Sequence, residues 1–487
     1  MHYFTCLALF AWICFAPKAV AAAEPTYTIV VSKATHADAG WKQVAAALQK
    51  KYPGARVIEY DQSVAEALPA LQAQHPRFTC FIATPAEATR EFVAQVHRLT
   101  RQYDSDPYTD TIWGVLTGFD AGNALRIAQH NEPLTIRKVA SGTEVALEMC
   151  EEGVWYCELN KNKMVSKAKA GESTQSGAKE SKVDTDTTKP LVDTLNDYKA
   201  DLFITSGHAT ERDWQIGYRY RNGYFKSGAG KMWGEDTQGK KHFIASSNPK
   251  VYLPIGNCLM GHIDSTDAMA LAWMNSAGVN QMAGYTVLTW YGYAGWGCLD
   301  YFVEQPGRYT FAESFFANQH ALIHRLETFF PENAKDLADL EKMRPTKAIT
   351  IGEAAKKEGL KQQDGFGLIY DRDTVAFYGD PGWIARMAAP AAGTLAYEQT
   401  LTEKDGTITL DIKPNRGEKS FEPVNKNGAQ RGWRPIVAFL PKRIDAGKVE
   451  ILEGKELNPT IADDFILVPN PKTCEPAKVY RVVFRGK

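Results

Sequence analysis

The chain has 487 residues, 44% of them hydrophobic and 23% charged, with a formal net charge of −1. That balance excludes the basic footprint of a nucleic-acid-binding protein and the polybasic patch of a protein held to anionic lipid. The length is too great for one compact core and predicts two or three domains.

The first 23 residues stand apart. Phe4 to Ala16 is almost wholly apolar, and Ala19-Val20-Ala21-Ala22-Ala23 supplies small residues before Glu24-Pro25. An apolar run of this length before an A-x-A site reads as a secretory signal peptide and is short for a membrane span. The expected location is therefore secreted, periplasmic or at the cell surface. From Tyr27 onward strand and helix patterns alternate. Strands are predicted at Tyr27–Val31, Ala55–Tyr60, Phe78–Ala83 and Ile112–Thr117, and helices at Gly40–Lys51, Val64–Gln74 (with Pro69 inside it), Pro85–Arg101 and Ala121–Gln129. Such alternation predicts an α/β subdomain, residues 24–135, with a largely parallel sheet.

A second α/β subdomain is expected over residues 136–390. Within it Lys161 to Lys189 is polar, with almost no apolar residues, and reads as a flexible loop or cleavable linker. Met282 to Val303 is apolar, but its four glycines and Asp300 fit a buried strand and loop better than a membrane-spanning helix. From Ala391 short strand patterns at Thr407–Ile412, Pro435–Leu440 and Val479–Phe484 alternate with turn residues, which predicts a β-sandwich module over 391–487. Beyond the leader the cysteines are Cys80, Cys150, Cys157, Cys258, Cys298 and Cys474, too sparse for a disulfide scaffold. A bridge between Cys150 and Cys157 stays open.

Two strand ends carry reactive side chains. The apolar run Asp201-Leu202-Phe203-Ile204-Thr205 leads into Ser206-Gly207-His208, and Val251-Tyr252-Leu253-Pro254-Ile255 leads into Gly256-Asn257-Cys258. Open α/β sheets hold their ligands at the carboxyl ends of strands. A thiol needs a base or a positive neighbour to act as a nucleophile, and a histidine at a nearby strand end supplies one. Backbone N–H groups of Cys258 and of Ala209 are candidates for the oxyanion position. His262, four residues after Cys258, suggests a metal pair only weakly, because no further Cys/His cluster accompanies it.

Ser206 to Trp214 resembles the catalytic-histidine block of the gingipain family of cysteine peptidases, and Val251 to Gly261 resembles its cysteine block. Phe377-Tyr378-Gly379-Asp380-Pro381 is similar to the strand that closes that family's catalytic domain. The resemblance implies an α/β fold of caspase-like, gingipain-like parallel-sheet subdomains followed by an immunoglobulin-like β-sandwich. It also implies a cysteine endopeptidase using Cys258 and His208 through a thioester acyl-enzyme, a protein or peptide as substrate, and no cofactor, with bound calcium a family feature. Glu144 in Ser141-Gly142-Thr143-Glu144 matches the place of an acid that supports the histidine, although it also reads as a first-turn helix acid. Trp290 and Tyr291 match the wall of the pocket for the residue before the scissile bond, or are ordinary core aromatics. Ala209 stands where the family has glycine, and Asn257 where it has a small residue. The rival reading is a catalytically inactive caspase-like fold that serves as a surface or binding protein.

Overall fold

The computed structural model describes residues 26–170, 177–289, 291–341, 344–426, 432–475 and 477–486. The apolar leader lies outside them. Twelve strands form one sheet: β1 (Tyr27–Ser32), β2 (Arg56–Tyr60), β3 (Phe78–Ile82), β4 (Ile112–Leu116), β5 (Lys138–Ser141), β6 (Glu152–Tyr156), β7 (Lys163–Lys167), β8 (Lys179–Lys182), β9 (Leu202–Thr205), β10 (Lys250–Pro254), β11 (Val279–Tyr285) and β12 (Val375–Gly379). Their order is β2-β1-β3-β4-β12-β11-β10-β9-β5-β6-β7-β8. The central strands are buried along their whole length, which is why they read as unbroken apolar runs.

The two α/β parts share one sheet. Strand β12 pairs parallel to β4 on one side and antiparallel to β11 on the other, and one hydrophobic core runs beneath both halves. Asp380, at the end of β12, ties this junction to the N-terminal part. Its carboxylate accepts hydrogen bonds from Tyr27 and Tyr52 at 2.8 and 2.7 Å and pairs with Lys51 at 2.9 Å.

Three expectations differ from the structure. Within the polar segment 161–189, read as a loop, β7 and β8 form an antiparallel hairpin on the sheet edge. Edge pairing is made by backbone bonds and needs few apolar side chains. Residues 171–176 of that segment lie outside the described residues. In the apolar stretch 282–303 the expected loop contains a buried helix, Tyr293–Phe302. The helix predicted at Val64–Gln74 is divided into a 3-10 turn at Val64–Ala67 and a helix at Leu68–Gln74, with Pro69 in the first turn where its missing N–H costs nothing.

Residues from Tyr397 build two antiparallel sheets of four and three strands around a core of Ile408, Leu410, Ile436, Ile466, Val482 and Phe484. This β-sandwich docks on the helix Phe311–Phe329 through Val437, Phe465 and Leu467. Among the described residues no helix is long and apolar enough to cross a membrane.

Candidate active site

Strands β9 and β10 are parallel neighbours, with Leu202 opposite Val251 and Thr205 opposite Pro254. Adjacent strands lie about 4.8 Å apart, so the residues that follow emerge side by side at one sheet edge. His208 and Cys258 are those residues, and both line one cavity of about 590 Å³.

The histidine loop is held at several points. Gly207 has φ +92°, a conformation open to glycine at little cost. Trp214, folded back beneath the loop, donates from Nε1 to the Ser206 carbonyl at 2.7 Å. The Trp214 ring requires glycine at position 142, where a Cβ would lie 2.3 Å from Cη2. The Gln215 N–H donates to the His208 carbonyl at 2.9 Å. The His208 ring is exposed and packs on Tyr218 with centroids 4.8 Å apart.

The cysteine loop is tied to the histidine loop by Asn257, which is fully buried. Its Oδ1 accepts from the Thr205 hydroxyl at 2.7 Å, and its Nδ2 donates to the Gly207 carbonyl at 3.1 Å. Cys258 Sγ accepts the Thr289 N–H at 3.2 Å, while the Thr289 hydroxyl donates to the Asn257 carbonyl at 3.1 Å. Leu259 takes φ +58°, unusual for a residue with a Cβ, and its N–H bonds the Val287 carbonyl at 3.0 Å.

Tyr291 lines the cavity, together with Leu288, Thr289 and Trp296. Trp290 lies outside the described residues. Asp371 anchors the turn behind this wall, accepting from the Tyr285 hydroxyl at 2.8 Å and the Ala294 N–H at 3.0 Å, and burial pushes its carboxyl up to about 7. Glu144 is half-buried and is not among the residues lining the cavity. It sits in coil before the 3-10 turn Leu147–Met149, so it is not a first-turn helix acid. The Ser141 hydroxyl bonds to the backbone of Thr143 turn the chain there instead. Ala209 forms a β-bridge with Trp214 and is likewise absent from the cavity lining.

The acid that does line the cavity is Glu158, which follows β6 at the same sheet edge. It is 8% exposed, and the Thr143 hydroxyl donates to it at 2.7 Å. Burial pushes its carboxyl up to about 7, with the Glu144 charge adding to the rise. The sequence signal was present, an acid directly after an apolar strand, but nothing in it showed that β6 joins the sheet next to β5. Arg219, also in the lining, is exposed.

His262 does not pair with Cys258. Its ring contacts Glu211 at 3.1 Å and Arg90 at 3.4 Å, and among the described residues no group of potential metal ligands includes either His262 or Cys258. For calcium, Asp104, Asp106 and Asp110 have oxygen-donor chemistry and ligand atoms within 4.8 Å of one another. Each already accepts a backbone N–H, and none lines the Cys258 cavity. All six described cysteines are free.

No family model matches the chain, and no curated protein matches it. Among solved structures, the crystal structure of the Arg-specific cysteine proteinase gingipain R superposes with a TM-score of 0.41 at 10% sequence identity. The superposition covers 94% of this chain and 97% of that chain. A likeness at that level carries no weight for the chemistry, so the reading of the site rests on its own residues.

Proposed function

We propose that the chain is an exported cysteine endopeptidase acting on protein or peptide substrates. The observation that supports this reading is the convergence of His208 and Cys258 from adjacent parallel strand ends on one cavity, with a backbone N–H donated to the sulfur. In this reaction His208 takes the Sγ proton as the sulfur attacks the scissile carbonyl carbon. The oxyanion is met by backbone N–H groups at the cysteine loop. The imidazolium then gives its proton to the leaving amine, the C–N bond breaks, and a thioester remains. Water, deprotonated by His208, hydrolyses the thioester and returns the thiol. Asn257 is a positioning residue for this pair.

A second reading, an inactive fold used for binding, draws on one observation. Among the described residues no hydrogen bond joins the exposed His208 ring to Sγ, and the ring rests on Tyr218 instead. Catalytic contacts of this kind often close only around substrate, and an experiment separates the two readings. Alkylation rate alone does not, because Cys258 is half-buried while the other five cysteines are buried. The pH profile of Cys258 alkylation does. Under the peptidase reading His208→Ala moves that profile to higher pH and abolishes cleavage of a peptide library, as Cys258→Ala also does. An unchanged profile in His208→Ala, with no cleavage by the parent protein, supports the inactive fold.

A further inference from the structure

We propose that a cleft between the helix Phe311–Phe329 and the β-sandwich binds a small anion carrying a flat apolar body, such as an aromatic carboxylate or phosphate. The cleft holds about 460 Å³ and is lined by Arg325 and Phe329 of the helix, Glu358, and Trp433, Arg434 and Lys472 of the sandwich. That volume is within the usual range of ligand pockets.

The charges of this cleft do not balance. Glu358 is paired with Lys472, and Arg434 is paired with Asp300 through Nε at 2.9 Å. Arg325 remains. Its guanidinium is half-buried and lies over the Tyr293 ring, 5.5 Å from the centroid, and no carboxylate pairs with it among the described residues. A part-buried cation with no carboxylate at ion-pair distance gains from an anion that reaches it. Burial and the Arg434 charge work against its protonated form, while the charges of Tyr293, Asp364 and Glu358 support it.

The apolar part of the ligand is matched by Trp433 and Phe329. Trp433 is 42% exposed and stands at φ +54°, a backbone conformation a tryptophan seldom adopts. A large ring held out at such a position suits a stacking platform better than core packing. Guanidinium groups bind carboxylate and phosphate in a planar, forked geometry, so both anion classes belong in the test.

Phenyl phosphate and benzoate are titrated into the full chain by calorimetry, with benzylamine as the cationic control, and melting temperature is followed in parallel. At least one of the two anions binds one-to-one and raises the melting temperature, and benzylamine does neither. Arg325→Gln weakens that binding by about tenfold or more, the scale of a lost charge-assisted contact. Trp433→Ala, on an exposed side chain, weakens it several-fold without altering the fold, and so tests the site even if Arg325→Gln does not fold. Absence of binding by both anions, equal binding of benzylamine, or unchanged binding in Trp433→Ala overturns the proposal.

Discussion

The Asn257 amide donates from Nδ2 to the Gly207 carbonyl at 3.1 Å, so the residue before the cysteine holds the residue before the histidine. This contact passes through no catalytic atom, yet it fixes how the two loops face each other. Asn257→Ala takes the donor from the Gly207 carbonyl and leaves the Thr205 hydroxyl with Tyr252 alone, at a cost of about 1–3 kcal/mol. The expected result is a turnover lower by roughly tenfold to a hundredfold, together with an alkylation pH profile of Cys258 displaced toward that of His208→Ala. Identical profiles in parent and variant refute the positioning role.

Glu158 makes stability depend on pH in a definite direction. Its carboxyl titrates at about 7 in the folded protein against an ordinary 4.5. Between those values the folded state keeps a proton that the unfolded chain has lost, so stability falls as pH rises through that window and the loss is complete above about 7. The difference amounts to roughly 3 kcal/mol. Glu158→Gln has no such loss. Denaturant midpoints at pH 5 and pH 8 should show the variant gaining on the parent protein by up to that amount at the higher pH. A gap independent of pH refutes the assignment.

Asp380 is a structural acid. It is 1% exposed and holds the Lys51 ammonium and two tyrosine hydroxyls. Asp380→Asn leaves the Lys51 charge, itself nearly buried, without its counter-ion, a change that costs about 3–5 kcal/mol. Thermal or denaturant unfolding should show that loss. The alkylation profile of Cys258 in the folded fraction should stay as in the parent protein, because the cavity does not include Asp380.

Gly142 gives a steric test of the histidine loop. An added Cβ lies 2.3 and 2.5 Å from two Trp214 ring carbons, so the ring must move and its bond to the Ser206 carbonyl must stretch. Gly142→Ala should cost about 1–3 kcal/mol, as overpacking does, and shift tryptophan fluorescence. Gly177→Ala, where a Cβ meets nothing within 4 Å, should stay within about 0.5 kcal/mol.

The strand ends bearing His208 and Cys258 were legible because buried parallel strands are continuous apolar runs that stop at the reactive residue. Their adjacency was not, since sheet order is set by pairing between distant segments. Glu158 was missed for the same reason, its strand reaching the site edge only through pairing with β5. The hairpin of β7 and β8 was hidden by its polar composition. The helix Tyr293–Phe302 was hidden by glycines that lower helix propensity, although Gly295 is needed there, where a Cβ would come within 2.0 Å of the Ile255 carbonyl oxygen.

The placement of β12 also governs the order of assembly. A strand from residues 375–379 fills the middle of the sheet, between partners made from residues 112–116 and 279–285. As the chain leaves the ribosome, β4 and β11 each present an open edge until β12 emerges, and such edges invite pairing with other chains. The nascent polypeptide therefore stays short of its final form through most of translation. Truncations ending before about residue 380 should aggregate instead of yielding a smaller folded domain.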